Sequence, residues 1–358
     1  MATSTTKSVG ILFGMERTFP PALAEAINRR GEGKVSAQLV RIGPVRQDRP
    51  AGYDVILDRI SHEVPFYRTW LKAEAAMGTQ VVNNPFWWTA DDKFLDNVIA
   101  RKAGVEVPRT VILPHKQHPP NTSSDSFSNL AYPIDWDEVF SYLGFPIFMK
   151  PANGGGWRDV HKVDGPAAFF AAYDRTHTLC MMAQEAIDFT EYFRCYVLGR
   201  ETVRIMPYDP RQPFEKRYVL DGKGADPALL RRVERDALAL CRALGYDFNT
   251  VEFAVRDGVP YAIDFMNPAP DCDSFSVGPA NFEWVISHAA GLLIDRALHP
   301  RPVELTGNWA AAAAVAAAPV EKPARDPGPW SRPSASAETP SKGTGRGGAR
   351  GRTTRGTP

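Results

Sequence analysis

The chain has 358 residues, 44% of them apolar and 23% charged, with a formal net charge of +1. That length allows two or three domains with substantial cores, and no apolar run approaches the roughly 20 residues that span a bilayer. The opening MATSTTKSVGILFG lacks the long apolar stretch and cleavage site of a secretory signal, and Cys180, Cys195, Cys241 and Cys272 are scattered without metal-type spacing, so a soluble cytoplasmic protein with reduced thiols is expected.

Ser8 to Phe13, Val35 to Ile42 and Val55 to Ile60 read as strands, alternating with helices near Pro21 to Asn28 and Pro65 to Met77. This is the pattern of an α/β layer with a parallel sheet. Its third strand leads into Arg59, Ser61 and His62, at the strand end where open α/β sheets bind ligands, so these three are candidate substrate contacts. For His62 the alternative is a capping role before the helix that follows.

A second helix-and-strand unit, TADDKFLDNVIARKAGVEVPRTVIL, starts a helix near Asp91, carries Lys93 in its first turn and ends at Gly104. The polar, turn-rich stretch from Pro114 to Pro133 is longer than an ordinary connection. It reads as a surface loop or part of a site cover, and its His115 and His118 as surface residues. The strand FPIFMK then ends at Lys150 and is followed by Asn153-Gly154-Gly155-Gly156-Trp157. Consecutive glycines let backbone N–H groups converge on an anion; alone, the same run is more often a plain flexible turn.

MMAQEAIDFTEYFRCYVLG reads as a strand to Ala186, a short connector and a strand from Tyr192. A helix is expected over Asp226 to Leu244, with Asp226 as N-cap, Pro227 in the first turn and a core stripe of Leu230, Val233, Ala237, Cys241 and Leu244. Next, Val251 to Arg256 and Val259 to Phe265 are joined by Asp257-Gly258, a tight-hairpin signal. Folding them together brings Glu252 near Asp264, and Asn267 adds an amide oxygen. Oxygen-only ligands suit Mg²⁺ or Mn²⁺ rather than zinc; the alternative is a hairpin with two solvated acids. Arg204 and Arg217 are either anion contacts or solvated residues.

From about Thr306 onward the chain is rich in Ala, Pro, Gly, Ser and Arg and should be disordered. Arg301 to Pro358 holds nine Lys plus Arg and four Asp plus Glu, or +5, which leaves −4 on the preceding residues. The Arg-Gly tail is the one segment suited to nucleic acid or an anionic surface, although its sparse charges read more simply as solvating.

In order, these features resemble the ATP-grasp superfamily, from about Val9 to Leu298. YDVILDRISHEVPFYRTWLKAEAAMGTQVVNNP and EYFRCYVLG are most similar to its glutathione synthetase and ribosomal-protein glutamate ligase (RimK-like) branch. The resemblance implies an α/β and α+β ATP-grasp fold with an N-terminal α/β substrate-side domain (1–88). A lysine and glycine-lid subdomain (89–188), a metal-binding subdomain (189–305) and the disordered basic tail (306–358) would follow.

By the same resemblance, Lys93, Lys150 and the Gly154, Gly155 and Gly156 lid hold the phosphates of ATP. Gln184, Glu185, Ala186 and Ile187 form the adenine hinge, and Glu191 reaches the ribose. Glu252, Asp264 and Asn267 hold Mg²⁺ or Mn²⁺, and Arg194 stands where the family uses an arginine near the phosphates; Arg204 and Arg217, on or beside strands facing that site, are either further contacts to the reacting groups or solvated residues. The family spaces its last metal ligands as acid-x-asparagine, whereas two residues separate Asp264 from Asn267, and Thr250 stands where many relatives have an arginine. Either a bulge re-aims one side chain or Asp264 lies behind the ion. The implied activity is an ATP- and Mg-dependent carboxylate-amine ligase acting on small molecules through an acyl phosphate. The alternatives are a small-molecule kinase and a non-catalytic nucleotide-binding module.

Overall fold

A computed structural model describes residues 6–87, 92–213, 216–219 and 224–305. The expected tail from 306 onward and the helix start at Asp91 lie outside these residues.

The first sheet is parallel, in the order β2-β1-β3-β4. It contains β1 (Lys7–Leu12), β2 (Val35–Leu39), β3 (Val55–Asp58) and β4 (Gln80–Val82), with helices α1 (Phe19–Arg30) and α2 (Pro65–Ala76) between them. Val55, Ile56 and Leu57 are all buried, because a parallel strand covered on both faces needs a continuous apolar run rather than alternation. β3 stops at Asp58, short of the expected Ile60. The Asp58 carboxylate accepts the N–H groups of Ile60 and Ser61 at 3.0 and 2.9 Å, turning the chain.

Helix α3 (Lys93–Lys102) leads to an antiparallel sheet in the order β5-β8-β6-β7. Its strands are β5 (Thr110–Ile112), β6 (Ile147–Pro151), β7 (His161–Val163) and β8 (Met181–Glu185). Helices α4 (Trp136–Leu143) and α5 (Pro166–Tyr173) cover it through edge-to-face contacts of Trp136 and Phe140 with Phe169.

The third sheet, also antiparallel, runs β10-β9-β11-β12. It comprises β9 (Glu191–Leu198), β10 (Thr202–Pro207), β11 (Phe248–Arg256) and β12 (Val259–Asp264). Helix α6 (Pro227–Leu244) starts where Asp226 accepts Ala228 N–H at 3.1 Å and stops at Gly245, whose φ of +77° suits glycine. Its buried face holds Val233, Ala237, Cys241 and Leu244 with Leu229 and Leu240; Leu230 is only partly buried. Finally, α7 (Ser274–Val277) and α8 (Pro279–Leu298) return to the first sheet. There Phe19, Leu23, Val55, Phe248, Val285 and Leu293 share one core. Among the described residues no helix is long and apolar enough to cross a membrane.

Candidate functional site

The β11–β12 hairpin turns at Asp257 and Gly258, which both have positive φ, +53° and +72°, as a two-residue hairpin turn of matching twist requires. Its register is regular up to Phe253 opposite Ala262 and then shifts, so that Glu252 faces Asp264. In unbroken pairing Glu252 would face Ile263. The bulge at Ile263 instead carries Asp264 onto the face that holds Glu252.

The same face presents Arg194, paired with Glu252, and Tyr196, paired with both Thr250 and Arg204. Glu252 is half-buried. Its carboxylate accepts the Tyr192 hydroxyl at 2.6 Å and lies 3.7 Å from an Arg194 nitrogen. Burial pushes the Glu252 carboxyl up; Arg194 opposes this and the charge of Asp264 adds to it. Asp264 is exposed and makes no hydrogen bond or ion pair among the described residues. Two carboxylates brought to one face of a hairpin offer the oxygen ligands that a hard divalent cation takes. No group of three or more His, Cys, Asp and Glu side chains converges among the described residues. A cation here therefore needs an oxygen beyond the two acids.

Asn267 can supply it, and the loop that carries it is anchored. Its backbone N–H donates to Asn249 Oδ1 at 2.8 Å, while Asn249 Nδ2 donates to the Phe265 carbonyl at 2.7 Å. Asn267 Oδ1 accepts the Ala269 N–H at 3.3 Å, which leaves a second lone pair for a ligand.

Beside β12, Lys150 Nζ donates to the Ile263 carbonyl at 3.3 Å. Lys93, Asp96, Lys150, Asp264 and Met266 line a shallow hollow there, about 240 Å³ with the open solvent at its mouth included. Burial lowers the Lys150 ammonium, against the opposing pull of Asp264. Lys93 Nζ donates to the Gly154 carbonyl, so the first lysine touches the glycine run. Gly154, Gly156 and Trp157 have φ of +93°, +70° and +60°, and a Cβ added at any of the three glycines would meet nothing within 4 Å. The run needs glycine for its backbone conformation rather than for space. Arg217 crosses to it, with its guanidinium 5.8 Å from the centre of the Trp157 ring and its Nε donating to the Gln212 carbonyl at 3.1 Å.

Arg194 is buried, lies 5.6 Å from the Tyr208 ring centre, reaches Thr250 Oγ1 at 3.5 Å and has no hydrogen-bond partner at Nε. Thr250 thus supports the arginine of the neighbouring strand. Arg204 shares the face of Arg194 but donates to Asn281 of α8 at 3.1 Å.

The residues expected in the hinge make different contacts. Gln184 is buried and donates to Thr110 at 2.9 Å. Glu185 forms ion pairs with Arg109 at 3.0 Å and Arg256 at 2.8 Å, which joins the second sheet to the third. Burial would raise its carboxyl, but the two arginines hold it below the ordinary range. The N–H groups of Glu185 and Ala186 donate to the Arg109 and Pro146 carbonyls. Ile187 is buried against Tyr192 and Tyr208, and Glu191 opens β9 half-buried.

On the first sheet, the Arg59 side chain forks onto Glu16, contacts the Pro270 carbonyl and lies between the Phe19 and Phe248 rings. Ser61 donates its hydroxyl to Asp58. Both side chains are therefore held within the fold. His62 is half-buried, 3.6 Å from Glu63, and its Nδ1 has no partner. It does not cap α2, whose N-cap is Val64 without a side-chain bond.

Four residues that sequence reasoning did not single out complete the arrangement. Tyr192 and Asn249 hold the acid and its loop. Asn83 accepts the N–H groups of Asp247 and Phe248 at 2.8 and 2.7 Å, pinning the first sheet to β11. Asp273 accepts the N–H groups of Arg17, Thr18 and Phe19, the shortest at 2.9 Å, at the start of α1. A carboxylate suits that position because the helix N-terminus carries unpaired donors and positive partial charge.

No protein-family model matches the chain. The D-alanine–D-alanine ligase of Dechloromonas aromatica (strain RCB) is 26% identical over 202 residues, 53% of this chain, so the chain spans 61% of that relative's length. Among solved structures, the VanG D-Ala:D-Ser ligase from Enterococcus faecalis has a TM-score of 0.59 at 16% identity, covering 81% of this chain and 99% of that one. The RimK domain ATP-grasp protein from Sphaerobacter thermophilus DSM 20745 has a TM-score of 0.57 at 19% identity, covering 81% and 99%. The chain has the ATP-grasp fold.

Proposed function

We propose that this ATP-grasp chain is a cytoplasmic, ATP-dependent carboxylate-amine ligase for small-molecule substrates. The observation that carries the reading is the bulged pair of Glu252 and Asp264, set beside Lys150 and facing Arg194. The likeness to D-alanine–D-alanine ligases supports an amino acid as one of the two substrates. The same reading divides the chain into a substrate-side domain (1–88), a lysine and lid subdomain (89–188) and a metal-binding subdomain (189–305).

A free carboxylate is a poor electrophile, so amide formation needs its activation. In the proposed reaction a carboxylate oxygen attacks the γ-phosphorus of ATP, the bond to ADP breaks and an acyl phosphate forms. An amine then attacks the acyl carbon, the carbon–oxygen bond to phosphate breaks, and amide and phosphate leave while the amine gives up a proton. Lys150 and Lys93 bind phosphoryl oxygens, and the glycine run covers them once Lys93 releases Gly154. Arg194, whose Nε is unpartnered, supplies a donor for developing negative charge. Glu252, Asp264 and Asn267 would hold Mg²⁺ or Mn²⁺, which neutralises phosphate charge when bound.

The test is purified protein with MgATP, a panel of amino acids and other acids, and hydroxylamine in place of the amine. A hydroxamate formed with one acid, together with equimolar phosphate release, is the expected result. A stable phosphorylated alcohol without any hydroxamate would replace the ligase with a kinase.

A further inference from the structure

Among the described residues a second hollow lies away from Lys150. It occupies about 550 Å³, open solvent at its mouth included, and is walled by β4, Trp87, Asp247, α8 and the segment from Arg301 to Glu304. Its walls are fixed in place. Gln80 Nε2 donates to the Arg301 carbonyl at 2.6 Å and Asn84 Nδ2 to the Glu304 carbonyl at 2.8 Å, strapping the segment across the opening. The Trp87 ring lies so close over Gly245 that a Cβ there would come within 1.8 Å of it.

Arg200, Arg296 and Arg301 face this hollow, against the acids Asp247 and Glu304. Arg200 Nε and an Arg296 nitrogen share a single oxygen, Asp247 Oδ1, at 2.8 and 3.0 Å. Glu304 is exposed on the strap and forms no described ion pair. Only 4% of Arg296 is exposed, and its Nε has no hydrogen-bond partner. Asp247 is thus one carboxylate oxygen between two guanidinium groups, and a buried donor left unmet beside it is costly. Burial drags the Arg296 guanidinium down, and Arg200 and Arg301 add to that against Asp247.

We propose that this cavity is a second ligand site, distinct from the Lys150 hollow, that binds a small tetrahedral oxyanion of the phosphate or sulfate kind. Planar guanidinium groups present paired N–H donors that match such oxygens. Because Asp247 and Phe248 donate to Asn83 at the head of β11, an anion here would brace the junction between the first sheet and the strand that carries Asn249 and Glu252.

The full chain would be followed by thermal unfolding as sodium phosphate, sodium sulfate or sodium acetate replaces sodium chloride at constant ionic strength. A rise in midpoint that saturates in the low millimolar range with phosphate and sulfate is expected, since a ligand that binds only the folded state stabilises it by mass action. Lys150→Ala should keep that rise, which separates this site from the phosphate-binding hollow. Arg296→Gln should lose it. Arg301→Ala is the second variant, because its exposed side chain is not needed for folding and the Gln80 bonds go to its backbone. It should weaken the apparent affinity about tenfold, as expected for one charge-assisted contact. A rise that is unchanged from wild type in both arginine variants, absent from the wild type, lost in Lys150→Ala, or reproduced in full by acetate would overturn the proposal.

Discussion

Tyr192 donates its hydroxyl to the Glu252 carboxylate at 2.6 Å, from the strand position two residues before Arg194. The acid is thus held from one side by a phenol and from the other by a guanidinium at 3.7 Å, leaving Asp264 as the unencumbered partner. Tyr192→Phe should preserve the packing of its ring on Phe189 and Tyr208 and remove the bond that orients Glu252. Loss of such a supporting contact costs about 10- to 100-fold in metal affinity, read as a shift of the Mg²⁺ activation curve for phosphate release. Glu252→Gln or Asp264→Asn should go further and remove turnover by at least about 100-fold while the fold persists. An unchanged Mg²⁺ curve in Tyr192→Phe would show that the hydroxyl is not part of the site.

Lys150 offers the most direct test of nucleotide binding. Lys150→Ala removes a charge-assisted contact worth about 1.5–3 kcal/mol, which calorimetry with MgATP should register as weaker affinity. Burial lowers the wild-type ammonium, so its charge, and the affinity it supports, should fade at a pH below the roughly 10.4 of an ordinary lysine. Equal MgATP affinity in variant and wild type would remove Lys150 from the phosphate site.

Much of this arrangement was legible because it is local. Asp257-Gly258 between two β-branched runs dictates a tight hairpin, and Asp226-Pro227 dictates the start of α6. The bulge at Ile263 was not fixed by composition: the spacing of Asp264 and Asn267 allowed a bulge or regular pairing, and the register of β11 with β12 has the bulge. Arg59 and Ser61 stood at a strand end that suits a ligand, but a sequence cannot say whether polar groups there meet substrate or one another. They meet Glu16 and Asp58. Glu185 lies in the expected hinge, while its carboxylate answers Arg109 and Arg256 from β5's approach and from β11. The partners of Asp273 lie about 255 residues earlier, beyond any local pattern.

That distant contact makes a prediction about acid stability. Burial would raise the Asp273 carboxyl, but the N–H groups of Thr18, Phe19 and Arg17 and the Thr18 hydroxyl outweigh it and hold it below its ordinary value. A carboxylate with a depressed folded pKa stabilises the fold fully above its unfolded pKa, roughly pH 4, and that stabilisation is lost as pH falls through the lower folded value. Asp273→Asn should therefore lower stability at neutral pH by about 0.5–2 kcal/mol, the usual worth of an N-terminal cap. It should also make the loss between pH 4 and pH 2 shallower, roughly over that window. Denaturant unfolding at several pH values measures both, and parallel acid limbs for the two proteins would contradict the assignment.

The last prediction concerns Asn249, a fully buried amide in β11. Its oxygen accepts the Asn267 N–H and its nitrogen donates to the Phe265 carbonyl, so one side chain ties both ends of the turn that follows Asp264. Asn249→Ala would strand a buried acceptor at Phe265 and free the N–H of Asn267, at about 1–3 kcal/mol for each unmet group. A stability loss alone would mark only a structural role. If the amide also sets the cation site, the variant that still folds at low temperature should need more Mg²⁺ for half-maximal phosphate release, by about tenfold or more, with little change in the MgATP affinity governed by Lys150. A drop in thermal midpoint with an unaltered Mg²⁺ requirement would place Asn249 in the scaffold and leave the coordination of Asn267 independent of it.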